Sequence, residues 1–282
     1  MNISWSLIFY TLFVGLGAGT FTYVAILDWQ GKGEKVRLEG SLAALLGMAI
    51  GGLSSALHLG HVERVANVLA NPASRISQEL ILVISTGALI VIYTIMLVAK
   101  SPSGVRKVVG GLGLISSVAL AFMTGLIYVL PARPAWNTIL WPLMYIASAG
   151  VLGMFTMYVL AVYRKSETAE IIGVNNGALI VLGVQVLLII GYLIFLAATK
   201  FPDPSRSPMR LMFGDLALLF WGGLVVIGLA IPAALTLWLR SSKDDALRAP
   251  TVAVVGFVCS FAGAIALRAI LYHLGTSIEQ FL

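Results

Sequence analysis

The sequence predicts an all-α, polytopic membrane protein with eight transmembrane helices. Of its 282 residues, 59% are hydrophobic and only 11% are charged, whereas a soluble domain averages about 25% charged residues. Apolar runs of roughly 20 residues recur along the chain, and each is long enough to cross about 30 Å of hydrocarbon as a helix. The polar connections between the runs are short, so the sequence predicts a single integral membrane domain over residues 1–282.

Prolines mark the ends of the predicted helices. Pro102 follows the third apolar run, Pro131 and Pro134 follow the fourth, and Pro202 lies between the sixth and the seventh. Pro250 precedes the eighth run, and all of these positions are typical of helix ends. The predicted spans are 6–27, 41–60, 79–99, 108–130, 143–163, 173–198, 213–239 and 251–275.

Two of the apolar runs share a short sequence pattern. Residues 19–24, GTFTYV, resemble residues 153–159, GMFTMYV, and both segments would run from outside to inside. The similarity suggests a parallel duplication of four plus four helices, over about 1–130 and 143–275. Matches this short also arise by chance in apolar sequence.

The distribution of Lys and Arg predicts the orientation. Eleven basic residues fall in the connections after the first, third, fifth and seventh spans, and six fall on the opposite side. Because basic residues are retained on the cytoplasmic side, we expect both termini outside, in a multi-pass protein of the cytoplasmic membrane. The same bias explains the net charge of +6 without a nucleic-acid partner. No Lys or Arg precedes the first run and no A-x-A site is present, so we predict that the run is a retained span rather than a signal peptide.

Tryptophans lie near the predicted membrane interfaces. Trp5, Trp29, Trp136, Trp141 and Trp238 fall close to the ends of spans, where an amphipathic ring is favoured. An interfacial role explains them without a ligand.

Cysteine and histidine counts limit the redox cofactors. Cys259 is the only cysteine, so the chain holds no iron–sulfur cluster of its own. The histidines are His58, His61 and His273, and a bis-histidine haem needs two of them facing each other. A di-haem cytochrome is therefore excluded, a single His58–His273 haem stays open, and we predict no other metal site.

The stretch from Ser54 to Leu80 concentrates polar residues between two apolar runs. His58 and Glu79 fall at the helix ends of this stretch, beside apolar neighbours. Ionisable groups at membrane depth are costly and mark functional sites. The other polar residues predicted in the same leaflet are Asp215, Arg268, Tyr272 and His273.

These residue types suit the oxidation of an amphipathic quinol. Each ring hydroxyl needs a hydrogen-bond partner, and oxidation needs a group that accepts a proton near neutral pH, as histidine or a desolvated carboxylate does. Structural roles are the alternative. Arg268 would then pair with Asp215 or Glu79, and Tyr272 and His273 would be interfacial residues.

Three segments carry a resemblance to a known family. The first and most specific comprises His58, Leu59, Gly60, Arg64, Asn67, Asn71, Ser74 and Glu79. The second comprises Tyr128, Pro134, Trp136, Trp141 and Pro142, and the third comprises Arg268, Tyr272 and His273. In these segments the chain resembles the DmsC-type membrane anchor of dimethyl sulfoxide reductases and related molybdenum enzymes. The second segment resembles that family's connection between spans four and five, and the third resembles its last span.

The resemblance implies a haem-free, quinol-oxidising anchor subunit. Such a subunit passes electrons from menaquinol to an iron–sulfur subunit, which feeds a molybdopterin catalytic subunit. By residue match, His58 and Glu79 are implicated in menaquinol binding and are the expected catalytic pair. The expected quinol-binding set is completed by Arg64, Arg268, Tyr272 and His273.

Our hypothesis from the sequence is that a quinol enters from the outer leaflet, bonds His58 and yields a proton to Glu79, which Arg64 or Arg268 orients. With no haem to carry charge across the bilayer, we expect the iron–sulfur partner on the outer face. Two alternatives stay open. A small-molecule or ion transporter would suit the intramembrane charge and a parallel repeat, and a cytochrome b-type anchor would carry a single haem.

Overall fold

The computed structural model describes residues 4–59, 70–165, 168–199, 202–241 and 245–275. Within these ranges, side chains are described except at 57–59, 168–176, 202–205, 239–241 and 245–248. The fold is all-helical, with 83% helix and no strand in the ranges given. The prediction of an all-α chain is therefore confirmed.

Eight of the described helices are long and apolar enough to cross a membrane, as predicted. In chain order the first six are α1 (Trp5–Trp29), α2 (Arg37–Leu59), α3 (Arg75–Val98), α4 (Ser103–Leu126), α5 (Leu140–Tyr163) and α6 (Thr168–Ala198). The remaining helices are the short α7 (Pro202–Met212), then α8, which is a π-helix over Leu218–Ala230 continued as an α-helix over Ile231–Ser241, and α9 (Asp245–His273).

Two prolines do not end helices as the sequence predicts. Pro202 begins α7 instead of marking an irregular connection, which is reasonable because the first helical position needs no N–H donor. Pro250 lies inside α9, which begins at Asp245 rather than after the proline.

Helices α1 and α5 are the most buried of the spans and form the centre of the bundle. Helix α1 packs on α2, α4 and α5, and α5 packs in addition on α4, α6 and α9. The α1–α5 contact is made through glycines, because a Cβ added to Gly153 would overlap the backbone of Gly19. Small residues at such a position let two helix backbones approach closely in lipid.

The two segments of similar sequence make matching contacts. Phe21 of α1 fills the space above Gly113 of α4, and Phe155 of α5 fills the space above Gly256 of α9. Each similar segment begins with a glycine, Gly19 or Gly153, and the phenylalanine lies two residues later. In each predicted half, this phenylalanine packs on a glycine of the fourth span. This agrees with the proposed duplication, which stays a prediction.

The two ends of the bundle differ in their basic residues. The N-terminal side is the end where α1 begins and α2 ends, and the basic side is the opposite end, whose connections carry eleven of the Lys and Arg residues.

Candidate functional site

Arg268 is the centre of a polar cluster buried near the N-terminal side. It lies on α9 and is 0% exposed. Its Nε donates a hydrogen bond to Thr11 Oγ1 at 2.9 Å, and its Nη2 donates to the Thr11 carbonyl at 3.1 Å. Its Nη1 donates to Ser148 Oγ at 3.2 Å and to the Ala264 carbonyl at 2.9 Å. Gly15 lies next to Nη2, and a Cβ there would lie 3.4 Å from it, in ordinary van der Waals contact.

Arg268 has no carboxylate partner among the residues that the structure describes. Asp215, one of its two predicted partners, instead pairs with Arg210 at 2.8 Å, and its side chain is 59% exposed. The Arg210 guanidinium holds the pKa of the Asp215 carboxyl below its ordinary value. The acceptors of Arg268 are therefore all neutral. A buried cation without a counter-charge is costly, and at membrane depth it indicates a functional site.

Tyrosines surround the buried guanidinium. The ring of Tyr145 lies under it, with 4.9 Å from Cζ of Arg268 to the ring centroid, a cation–π geometry. Tyr128, just after α4, shares a hydrogen bond of 3.0 Å with the hydroxyl of Tyr272 on α9. The rings of Tyr128 and Tyr145 lie 5.9 Å apart. Burial raises the pKa of Tyr128 well above its ordinary value, so its phenol stays a proton donor at neutral pH.

Two buried oxygens in this cluster have unused hydrogen-bonding capacity. The hydroxyl of Tyr145 faces Thr11 but makes no hydrogen bond of normal geometry. Oε1 of Glu79 is buried and has no partner. Buried polar atoms are nearly always satisfied in native proteins, so such exceptions need an explanation, and an absent ligand is one.

Glu79 lies in the first turns of α3 and is 7% exposed. Its carboxyl group interacts with the hydroxyls of Tyr10 on α1 and Thr124 on α4. The Thr124 hydroxyl already donates to the Leu120 carbonyl at 2.8 Å, so toward Glu79 it offers a lone pair. Thr124 can therefore accept a hydrogen bond from the protonated carboxyl group, and Oε1 of Glu79 has no hydrogen-bond partner among the described residues.

No ion pair joins Glu79 to Arg268 within the described part of the chain. Tyr128 and Tyr145 are within electrostatic range of both groups. The pairing of Arg268 with Glu79, given above as a structural alternative, is therefore not found, and the role of Arg268 in orienting Glu79 stays a prediction.

The remaining predicted residues fall in different places. Tyr272 is 3% exposed and belongs to the cluster, so the alternative of an interfacial role is wrong for it. His273, the next residue, is exposed. His58 lies in the last turn of α2, but its side chain is outside the described ones. Arg64 and His61 lie outside the described residues altogether.

Several members of the cluster escaped the sequence analysis. They are uncharged and lie within apolar runs: Tyr10, Thr11, Thr124, Tyr145 and Ser148. A signal for two of them exists, because Tyr145 and Ser148 are three residues apart and therefore share a face of α5.

Two tryptophans predicted at the interface are also buried in the bundle. Trp136 is 4% exposed and donates from Nε1 to the Leu271 carbonyl at 2.7 Å. Trp141 is 0% exposed and donates to the Ala135 carbonyl at 3.2 Å. Arg133 lies over the Trp136 ring, 4.5 Å from its centroid. The α4–α5 connection thus folds onto the end of α9 and closes the cluster on the N-terminal side.

The fold and this cluster define a multi-pass α-helical membrane protein with a buried, charged site near one end of its bundle. The family model described as "Polysulphide reductase, NrfD" matches residues 1–271, and the chain belongs to this family. NrfD proteins are membrane subunits of quinone-interacting reductase complexes and in general partner with iron–sulfur and molybdenum-containing subunits. The family includes the DmsC-type anchors. No curated protein matches the chain significantly.

Proposed function

We propose that this chain is a DmsC-type anchor subunit that oxidises menaquinol and passes the electrons to an iron–sulfur subunit of a molybdopterin-dependent respiratory reductase. We also propose that the cluster around Arg268 and Glu79 holds the quinol head group. One observation carries this proposal: within the described part of the chain, a fully buried arginine without a carboxylate partner and a buried carboxyl group with an unpartnered oxygen are both within electrostatic range of Tyr128 and Tyr145. Both features are explained by a bound ligand that has acidic hydroxyl groups.

The chemistry of quinol oxidation matches the two groups. A hydroquinone loses two protons and two electrons when it becomes a quinone. Negative charge develops on a ring oxygen as its proton leaves, and a buried cation such as Arg268 stabilises that charge without prior reorganisation. Glu79 accepts the first proton through Oε1, releases it toward the N-terminal side, and then accepts the second. The electrons go to the iron–sulfur partner, so in this proposal the chain needs neither a haem nor an iron–sulfur cluster of its own.

The tyrosines would place the ring. The ring of Tyr145 lies under Arg268, and its hydroxyl, which makes no hydrogen bond of normal geometry to a described residue, is available to a ring oxygen of the quinol. The 3.0 Å bond between Tyr128 and Tyr272 joins the α4–α5 connection to α9 and fixes one wall. In the proposal His58, which ends α2 on the same side of the bundle, bonds the second ring hydroxyl, with Arg64 nearby in sequence.

An apolar groove along the bundle suits the isoprenoid tail. It has a volume of about 420 Å³ and lies between α1, α4, α5 and α6. Ala121 of α4 lines it and shares a helix face with Thr124, three residues further on. The groove therefore leads along α4 toward the polar cluster, and its walls are almost entirely apolar.

The partner would dock on the N-terminal side. Electrons released beside Arg268 have a short path only to that side, where the α4–α5 connection covers the cluster. With both termini outside, as the basic residues predict, this is the outer face of the cytoplasmic membrane.

The proposal is tested by replacing the two central groups in the assembled complex. We expect Glu79→Gln to lower menaquinol-dependent reduction at least about a hundredfold, because a general base is lost. We expect Arg268→Lys to lower it about tenfold, because the charge stays but the planar donor set is lost. Asp215→Asn is the matched control, since Asp215 lies exposed and paired outside the cluster. Wild-type turnover in both test variants, at normal assembly, would contradict the proposed site.

A further inference from the structure

A second buried charge cluster lies at the opposite end of the bundle. Asp28, at the end of α1, has a side chain that is 1% exposed. It accepts hydrogen bonds from Nε and Nη2 of Arg106 at 2.9 and 2.8 Å and from the hydroxyl of Tyr93 at 3.0 Å. Nη1 of Arg37 lies 3.1 Å from the same carboxylate. Two arginines thus share one aspartate, which leaves an excess positive charge at this position.

A cavity of about 680 Å³ opens above this cluster on the basic side. Its charged lining comprises Arg37, Lys100, Arg106 and Lys107 together with Asp28 and Glu34. Four positive charges therefore meet two negative ones. The cavity walls carry a net charge of +2, whereas the described grooves between the helices are almost entirely apolar. A smaller cavity of about 410 Å³ on the same side is lined by Lys35, Tyr163, Arg164 and Lys165.

Several donors in this cavity are available to an anion. Arg106 uses Nε and Nη2 for Asp28, and its Nη1 carries two more N–H groups. Lys100 forms no ion pair within the described part of the chain. It follows α3 with a left-handed backbone, φ 52°. Ser103, the first residue of α4, also lines the cavity, and no side chain caps the α4 N-terminus, whose N–H groups favour an anion.

We propose that this cavity is a binding site for the phosphate group of an anionic phospholipid. The cavity lies where α1 and α3 end and α2 and α4 begin, which is the depth of lipid head groups. Leu38 and Leu97 line it beside the basic residues, so an occupant with both a phosphate and an apolar part is matched better than free phosphate. Basic pockets between membrane helices on the side rich in Lys and Arg are suited to such head groups.

Lysine substitutions test the site without breaking the Asp28 cluster. The full-length protein is purified in detergent, and retention of phosphatidylglycerol and of phosphatidylcholine is counted by native mass spectrometry. We expect the double variant Lys100→Gln, Lys107→Gln to lose about fivefold in phosphatidylglycerol retention for each lysine. Phosphatidylcholine retention should not change. The double variant Lys100→Arg, Lys107→Arg keeps both charges and should retain phosphatidylglycerol as the wild type does.

Lys165→Gln is the matched control. Lys165 follows α5 with the same left-handed backbone, φ 49°, on the same side of the bundle but away from this cavity. Its substitution should leave retention unchanged.

Three outcomes would overturn the proposal: equal retention of the two lipids by the wild type, unchanged phosphatidylglycerol retention in the Lys100→Gln, Lys107→Gln variant, or an equal loss in Lys165→Gln. A further arm adds inorganic phosphate, and protection of the wild type by phosphate alone, with no preference for the lipid, would assign the site to the free anion instead.

Discussion

Arg268 on the last helix donates two hydrogen bonds to Thr11 on the first, one to its hydroxyl at 2.9 Å and one to its carbonyl at 3.1 Å. A helical carbonyl normally accepts from the amide four residues later, so the second bond places the guanidinium directly against the backbone of α1. Gly15, one turn further along α1, lies next to the same guanidinium group. The guanidinium is thus held by Thr11 of α1, by Ser148 of α5 and by Ala264 of its own helix, α9. These contacts form without a ligand.

The Thr11 hydroxyl should contribute measurably to stability. In Thr11→Val, Nε of Arg268 loses its acceptor in a site without water access, and we expect a cost of about 1–3 kcal/mol in the free energy of unfolding. Thr22→Val is the control, because Thr22 also lies on α1 and bonds a carbonyl one turn back, Ala18 at 2.8 Å, without a charged partner. Thermal unfolding of the purified protein in detergent measures both. Equal effects of the two substitutions would contradict the role given to Thr11.

Tyr10 should matter to turnover more than to folding. It interacts with the Glu79 carboxyl group, so Tyr10→Phe removes a donor that positions the proposed proton acceptor while keeping the ring. We expect menaquinol-dependent reduction to fall several-fold, because the lost hydrogen bond contributes about 1 kcal/mol. The amount of assembled complex should change little. The control is Tyr192→Phe, which removes a hydroxyl bonded to the Ala135 carbonyl at 2.9 Å outside the cluster. Turnover unchanged in Tyr10→Phe, or reduced equally in Tyr192→Phe, would count against the proposed position of the quinol.

The spanning helices were predictable from the sequence because their signal is local. A run of about 20 apolar residues is sufficient in lipid, where every backbone group has to be satisfied within the helix. The predicted and observed spans accordingly agree in number. The ends differ by a few residues at the polar positions, as at Arg37 and Arg75, where the helices begin earlier than the apolar runs do.

The site was only partly predictable, because its contacts join distant parts of the chain. Glu79, Arg268 and Tyr272 stand out as polar residues at membrane depth, and the structure places all three in the cluster. Thr11 is 257 residues from Arg268, and a threonine in an apolar helix usually bonds its own backbone, so nothing in the sequence marks it. The predicted depth of Asp215 in the membrane suggests that it belongs to the cluster. Depth alone does not indicate its partner, and the structure pairs Asp215 with Arg210.

The contact between α1 and α5 should tolerate no added side chain. In Gly153→Ala the new Cβ would overlap the backbone of Gly19, so the two central helices have to separate. We expect loss of the assembled protein from membranes, since contacts on all sides depend on this pair. Gly183→Ala in α6 is the control. A Cβ at Gly183 meets nothing within 4 Å, and alanine is the better helix former. The measurement is the amount of folded protein by detergent-solubilised gel filtration, and normal amounts of Gly153→Ala would show that the helices do not pack as described.

The Asp28 cluster and the Glu39–Arg164 pair provide a direct comparison of buried and exposed ion pairs on the basic side. Asp28→Asn would leave two largely buried arginines, with side chains 9% and 14% exposed, without a counter-charge. Breaking a buried pair by removing one partner costs roughly 3–5 kcal/mol. Glu39→Gln also removes a carboxylate from an arginine, Arg164, but these side chains are 27% and 49% exposed, and water replaces the lost partner at a cost of about 1 kcal/mol or less. We therefore expect a large fall in the unfolding temperature for Asp28→Asn and little change for Glu39→Gln.

Salt should weaken the contribution of the Glu39–Arg164 pair to stability and leave that of the Asp28 cluster almost unchanged, because buried pairs are screened less. A similar small effect of both substitutions would mean that water reaches Asp28, and the excess positive charge assigned to the phosphate site would then be solvated rather than available to a ligand.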